Sequence, residues 1–197
     1  MYLFGASGHG KVIADIAMAN DIKIKAFIDQ DTTKNECYGF PVLNYLPEDK
    51  EKLIISIGNN STRKKISEQI KHEIGLLIHP KSIISGSVKI EPGTVVMGGV
   101  VINADTTVGK HCIINTNASV DHDCVVEDFV HISPNSALAG GVKIGEGSQI
   151  GIGASVIQGI KIGKWCVIGA GAVIINDIPD FSVVVGNPGR IIKKNII

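Results

Sequence analysis

Residues 101–120 read Val-Ile-Asn-Ala-Asp-Thr-Thr-Val-Gly-Lys-His-Cys-Ile-Ile-Asn-Thr-Asn-Ala-Ser-Val. Cut into sixes, they give Val101 to Thr106, Thr107 to Cys112 and Ile113 to Ala118. Each has an aliphatic residue in second place (Ile102, Val108, Ile114) and a small one in sixth (Thr106, Cys112, Ala118). The pattern runs outward in both directions. Every sixth position from Ile84 to Ile174 is aliphatic, and the residue four places after each of the first fifteen is small or β-branched, with only Ile160 bulky. A helix would repeat its apolar residues about every 3.6 positions and a simple strand about every 2. A strict six fits neither, and predicts a β-helix of short rungs, three to a triangular coil and about five coils in all. No hexad is interrupted, so no loop is expected between coils. Glycine often follows the aliphatic residue directly (Gly109, Gly145, Gly151, Gly163, Gly169), where a tight corner is expected to use its freedom at positive φ.

Composition agrees with this reading. Ile (33) and Val (19) far outnumber Leu (7), a skew that favours pleated surfaces over helices, and 23 glycines supply corners. Nineteen cationic residues balance nineteen acidic ones, so no global field favours nucleic acid or an anionic membrane surface. No apolar run approaches the ~18 residues of a membrane span. The start, Met1-Tyr2-Leu3-Phe4-Gly5, lacks the basic and apolar regions of an export signal, and a cytoplasmic protein is expected.

The first 80 residues are of another kind. Tyr2 to Phe4 reads as a strand, Gly5-Ala6-Ser7-Gly8-His9-Gly10 as a glycine-rich turn and Lys11 to Asn20 as a helix. Lys23 to Ile28 and Leu53 to Ile57 read as strands, and Gly58-Asn59-Asn60-Ser61 opens a helix to about His72. The alternation predicts a small parallel α/β domain of Rossmann type over residues 1–80, followed by the β-helix over 81–197. Both glycine-containing loops then sit at the carboxyl edge of the sheet, where backbone N–H groups at helix starts suit a diphosphate. The spacing Gly5, Gly8, Gly10 departs from the dinucleotide pattern. Asp29 follows Gly10 by nineteen residues, close to the spacing at which an acid meets ribose hydroxyls. A domain half the size of a dinucleotide fold favours a nucleotide-sugar over NAD, and the alternative is that the glycines only allow close packing. His9 either contacts a phosphate or caps the helix. Arg63 either reaches a phosphate or acceptor sugar or lies on a solvated helix face.

His122 stands between two carboxylates in Asp121-His122-Asp123, off the inward position of its hexad. That setting suits a general base, since a carboxylate can hold the imidazole tautomer and raise its basicity; a surface histidine in an acidic corner is the alternative. His111, His122 and His131 lie eleven and nine residues apart, which matches no metal-ligand spacing, and no metal is expected. Cys112, Cys124 and Cys166 occupy small, packed places, Cys37 lies in a loop of the first domain, and no catalytic thiol is expected.

The Gly-Ala-Ser-Gly-His-Gly start, the Ile57-Gly58-Asn59-Asn60 turn, the Leu77-Ile78-His79-Pro80 junction and the Asp121-His122-Asp123-Cys124 corner resemble the hexapeptide-repeat sugar acetyltransferases. This family includes UDP-4-amino-sugar N-acetyltransferases of the bacillosamine pathway and sialic-acid O-acetyltransferases. The resemblance covers nearly the whole chain. It implies a left-handed β-helix, a homotrimer with its site between subunits, and acetyl transfer from acetyl-CoA to a UDP-amino-sugar, with no membrane insertion. It makes His122 the base, polarised by Asp123 where relatives often have Glu, and Gly140 the oxyanion donor. It places His131, Ile152, Ala170 and Gly171 along the acetyl-CoA groove. Ser7, Gly8, His9, Asp29, Gln30, Gly58, Asn59 and Arg63 fall to the nucleotide-sugar, with Gln30 where some relatives carry a second acid. The exit Gly186-Asn187-Pro188-Gly189-Arg190 also resembles that of the family, and Arg190, Lys193 and Lys194 either meet CoA phosphates or form an exposed basic tail. A sugar O-acetyltransferase and a non-acylating metal-binding or scaffold β-helix are the other readings.

Overall fold

The computed structural model describes residues 1–196. The N-terminal region holds β1 (Tyr2–Phe4), α1 (Gly8–Ala19), β2 (Ala26–Ile28), β3 (Glu36–Cys37), β4 (Phe40–Leu43), β5 (Leu53–Ile55) and α2 (Asn60–Ser67). The sheet order is β3-β4-β2-β1-β5, with all pairs parallel except the β3–β4 hairpin. This is a Rossmann-like sheet: β1, α1 and β2 form a parallel crossover, and the residues of β1 alternate faces. Leu3 points to α1, whereas Tyr2 packs with Ile28, Leu53 and Ile55 beneath α2.

Several local expectations are corrected. Helix α1 starts at Gly8 rather than Lys11, because Ser7 is its extended N-cap residue and Gly8 to Gly10 form its first turn. Helix α2 ends at Ser67 and not near His72: the Ser67 hydroxyl donates to the Lys64 carbonyl, and Gln69 N–H bonds Ile66 O in a tightened last turn. The ladders of β2 and β5 are shorter than the apolar runs that announce them. The β3–β4 hairpin was not anticipated; Tyr38 (φ 54) and Gly39 (φ 77) make the primed turn that such hairpins favour.

From Leu77 onward, two-residue strands recur every six residues and stack into the three walls of a left-handed β-helix. The first wall carries Leu77–Ile78, Val95–Val96, Ile113–Ile114, His131–Ile132, Gln149–Ile150 and Val167–Ile168. The second carries Ile83–Ile84 through Val173–Ile174, including Ser119–Val120 and Ala137–Leu138. The third carries Lys89–Ile90 through Lys161–Ile162. All are parallel, and residues 18 apart lie directly above one another, as in Val101↔Ser119↔Ala137↔Ser155. The first strand precedes residue 81: Leu77–Ile78 already pairs with Val95–Val96. At the far end Ser182–Val185 extends the first wall, and Arg190–Lys194 folds back antiparallel on it with every residue exposed.

The aliphatic second places and small sixth places of the hexads form one continuous core. The glycines that follow the aliphatic residues do not have positive φ. They are needed for proximity: a Cβ at Gly151 would lie 2.5 Å from the Ile168 carbonyl oxygen of the next coil. The left-handed residue comes two places later, and is Gly141, Gly147 or Gly153 in some corners but Asp105, His111, Asp123, Phe129 or Trp165 in others.

The two regions share a core. Leu77, Val95, Met97 and Ile113 of the first wall pack with Ile13, Ile16 and Ala17 of α1, so that α1 lies between sheet and β-helix.

Candidate active site

His122 sits on the corner between the second and third walls, 60% exposed, with Nδ1 2.7 Å from Asp123 Oδ2. Asp123 reaches it because the corner turns at φ 58, a conformation that Asp tolerates better than most residues. Asp121 Oδ1 accepts the His122 backbone N–H at 2.8 Å and Asn103 Nδ2 at 2.8 Å. The bond to Asp123, and then the charge of Asp121, hold the imidazole above its ordinary value near 6.5. The remaining nitrogen, Nε2, lies over Gly140 of the next coil: a Cβ on Gly140 would stand 2.6 Å from it. Absence of a side chain at 140 is therefore what gives His122 its position. Among the described residues the Gly140 N–H donates to no acceptor.

Ile152, Ala170 and Gly171 lie on a different corner, between the first and second walls, with Gly171 N–H bonding Ile152 O. One chain does not bring them beside His122; the second wall intervenes. His131 projects from the first wall toward the N-terminal region and pairs with Asn115, Nδ2···Nε2 3.0 Å. Burial, Arg63 and His9 push its pKa down to about 3, so it is a neutral imidazole.

In the N-terminal region, Ser7 and Gly8 are exposed at the start of α1, and the Ser7 hydroxyl makes no cap bond. A Cβ at Gly8 or Gly58 would meet nothing within 4 Å, which leaves both backbones open, whereas Gly10 packs against Gly5 O and Phe27. Asp29 and Gln30 line a small cleft with Phe4, Gly5, Ile57 and Thr62 at the carboxyl edge of the sheet. Asp29 Oδ2 accepts Ala6 N–H at 2.9 Å and Lys34 Nζ at 3.0 Å, and Oδ1 accepts Asp31 N–H at 3.0 Å. Partial burial pushes the carboxyl up, but these donors outweigh it and hold the carboxyl below its usual range. Among the described residues His9 Nε2 is buried without a partner, and burial with nearby Arg63 lowers its pKa to about 4.

One of the expected substrate contacts is structural, and a second has a structural bond at one of its two polar atoms. Arg63 is 1% exposed, and its guanidinium donates to the carbonyls of His111, Phe129, Ile57 and Gly58 and to Asn60 Oδ1 at 2.8–3.2 Å. No donor is left for a ligand, so the side chain is neither a phosphate contact nor a solvated one; it clamps α2 to the β-helix. Asn59 caps α2, its Oδ1 accepting Thr62 N–H at 2.9 Å. Asn103 and Asn115 belong to none of the motifs in the sequence. Asn103 precedes Asp121 by eighteen residues, one coil, and that interval was the available signal for the pair; Asn115 precedes His131 by sixteen and is off that interval. Among the described residues no group of three or more His, Cys, Asp or Glu side chains is placed to hold a metal ion.

Residues 1–70 match the family model of the PglD N-terminal domain, and residues 141–176 that of the bacterial transferase hexapeptide (six repeats). The acetyltransferase domain of PglB from Neisseria gonorrhoeae FA1090 is 40% identical over 97% of this chain and 98% of its own, with a TM-score of 0.92. The chain belongs to the hexapeptide-repeat sugar acetyltransferase family. A variant of the perosamine N-acetyltransferase of Caulobacter crescentus, solved with CoA and GDP-perosamine, is 36% identical to this family member over 98% of this chain and 96% of its own, TM-score 0.92. The PglB domain is also known in complex with acetyl coenzyme A. The serine acetyltransferase of Bacillus subtilis (strain 168) is 33% identical over 69 residues, 35% of this acetyltransferase and only 24% of that enzyme.

Proposed function

We propose that this acetyltransferase moves the acetyl group of acetyl-CoA to the amino group of a UDP-linked 4-amino-4,6-dideoxy-sugar, with His122 as general base. The observation that carries the reading is His122 itself: Nδ1 is fixed by Asp123, and Nε2 faces the Gly140 backbone. Neutral Nε2 takes a proton from the acceptor nitrogen as it attacks the thioester carbonyl, and the Gly140 N–H stabilises the oxyanion. The imidazolium then protonates the departing thiolate. A thiol with a pKa of ~8.5 leaves readily, so no covalent enzyme intermediate is needed.

CoA and an amino-sugar nucleotide in the solved relatives support the substrate classes. UDP is assigned from the resemblance of the glycine-rich start and the Ile57-Gly58-Asn59-Asn60 turn to the UDP-4-amino-sugar enzymes. Ser7, Gly8, His9, Asp29, Gln30 and Gly58 receive the nucleotide-sugar at the open carboxyl edge. His131, Ile152, Ala170 and Gly171 receive acetyl-CoA. Because that corner and the His122 corner belong to different edges of one chain, the working site is assigned to the groove between subunits of a homotrimer. The reaction is assigned to the cytoplasm, where acetyl-CoA is supplied.

Thiol release from acetyl-CoA, measured with UDP- and GDP-linked 4-amino-4,6-dideoxy-sugars and with their 4-hydroxy counterparts, tests this directly. The UDP-amino-sugar is expected to give the highest kcat/KM. Faster release with the hydroxy compounds would replace the reading by O-acetylation, and preference for GDP would correct the nucleotide.

A further inference from the structure

Next to the His122 corner the second wall bears a groove of about 500 Å³ that runs past Asp121 from Asn103 in the coil before it to Ala137, Ala139, Ser155 and Ile157 in the coils after it. Its depth comes from small residues. Ala139 lies directly beneath Asp121 and Gly140 directly beneath His122, each pair being eighteen residues apart. Asp121 lines this groove, and His122, the next residue in the chain, stands over Gly140 beside it. Asp121 uses only one oxygen within the chain: Oδ1 takes the His122 and Asn103 N–H groups, and among the described residues no donor reaches Oδ2. Asp123 is committed elsewhere, to His122 Nδ1.

We propose that Asp121 receives the acceptor nitrogen at Oδ2 beside His122 Nε2, and so makes the enzyme select an amine over a hydroxyl. The inference rests on the N-acetyltransferase reading above. A sugar amine arrives largely as an ammonium group with three N–H hydrogens. One proton is released to solvent through His122, and the free amine still has two. Its lone pair forms the C–N bond; one of the two hydrogens passes to Nε2 and on to sulfur as the C–S bond breaks with its electron pair on sulfur. The other stays in the amide and is the one that Asp121 Oδ2 accepts throughout. A hydroxyl has a single hydrogen, which the base must take, and its lone pairs would then face the Asp121 carboxylate.

Asp121→Asn tests this role with the corner intact, because the amide oxygen preserves both bonds at Oδ1 while a neutral NH2 replaces Oδ2; the lost charge also lets the His122 pKa fall, so KM is compared at a pH above the acidic limb of both proteins. The expected result is a roughly 10- to 100-fold rise in KM for the UDP-amino-sugar, the range for a lost hydrogen bond to a charged group. KM for acetyl-CoA and the melting temperature are expected to stay unchanged, and the preference for the amine over its 4-hydroxy counterpart to fall by the same factor. Asp121→Ala should show the same KM change with a lower Tm, since it also removes the corner cap. An active wild type whose Asp121→Asn variant keeps its KM and its amine preference overturns the inference alone, as does a Tm loss without any KM change. A wild type that releases thiol with no amine overturns the function reading and the inference together.

Discussion

Protonation of His122 is set by the carboxylates on either side of it, and the sign of their effect fixes the pH dependence. A base must be neutral to act, so activity falls as pH drops through its pKa, and the raised value puts that limb above pH 6.5. Asp123→Asn is expected to move the limb to lower pH and cost less kcat than His122→Ala, which should lose ~10²- to 10⁴-fold with acetyl-CoA affinity intact. Rate profiles from pH 5 to 9 and CoA titration calorimetry check both. Gly140→Ala makes a sharper point: the added methyl would stand 2.6 Å from the imidazole, so kcat should fall with little change in Tm. The acidic setting of His122 was legible, since its carboxylates are its chain neighbours, while its assignment as base came from the family resemblance. Arg63 was not legible, because its burial is created by His111 and Phe129, distant in sequence and brought to it only by the docking of α2.

At the level of elements, that docking depends on one guanidinium. Among the described residues Arg63 has no carboxylate partner, and burial lowers its pKa to about 10. Replacing it with Met leaves several buried carbonyls unpaired, and a loss of about 3–5 kcal/mol is expected by analogy with broken buried pairs. Urea unfolding measures it, and protease cleavage between α2 and Leu77 should accelerate in the same variant. Lys is not expected to rescue, as its three donors do not reproduce the planar fork. The inward places of the β-helix from Ile84 to Ile174 were readable, because aliphatic and small residues recur there without interruption, but its first rung at Leu77–Ile78 and its left-handed corner residues were not. Ends of α1 and α2 were not, for they are decided by Ser7 and Ser67 acting on the backbone and not by apolar periodicity.

Across the whole molecule, three neutral histidines, His9, His111 and His131, are buried around Arg63 with pKa values lowered to about 4, 4 and 3. Unfolding frees them to bind protons at their ordinary value, so stability should be greatest above pH 6.5 and decline continuously toward pH 4. Unfolding midpoints in urea at pH 7.5 and pH 5 test this, and His131→Gln should flatten the slope. The shared core also limits dissection: a fragment beginning at Lys81 loses the Leu77–Ile78 strand and bares Val95, Met97 and Ile113, so it should associate non-specifically unless those are made polar. Finally, vertical stacking at intervals of eighteen means that chain length is quantised. Deleting one hexad between Cys124 and Gly140 would turn everything downstream by a third of a revolution, setting a different wall beneath His122 and abolishing turnover in a protein that still folds. Deleting a whole coil further down, from Gly159 to Asn176, would leave His122 over Gly140 and shorten the prism by only one strand spacing, about 4.8 Å. A change of length within the stacked rungs thus keeps every wall in register only in steps of one full coil, a constraint that ordinary globular folds do not impose.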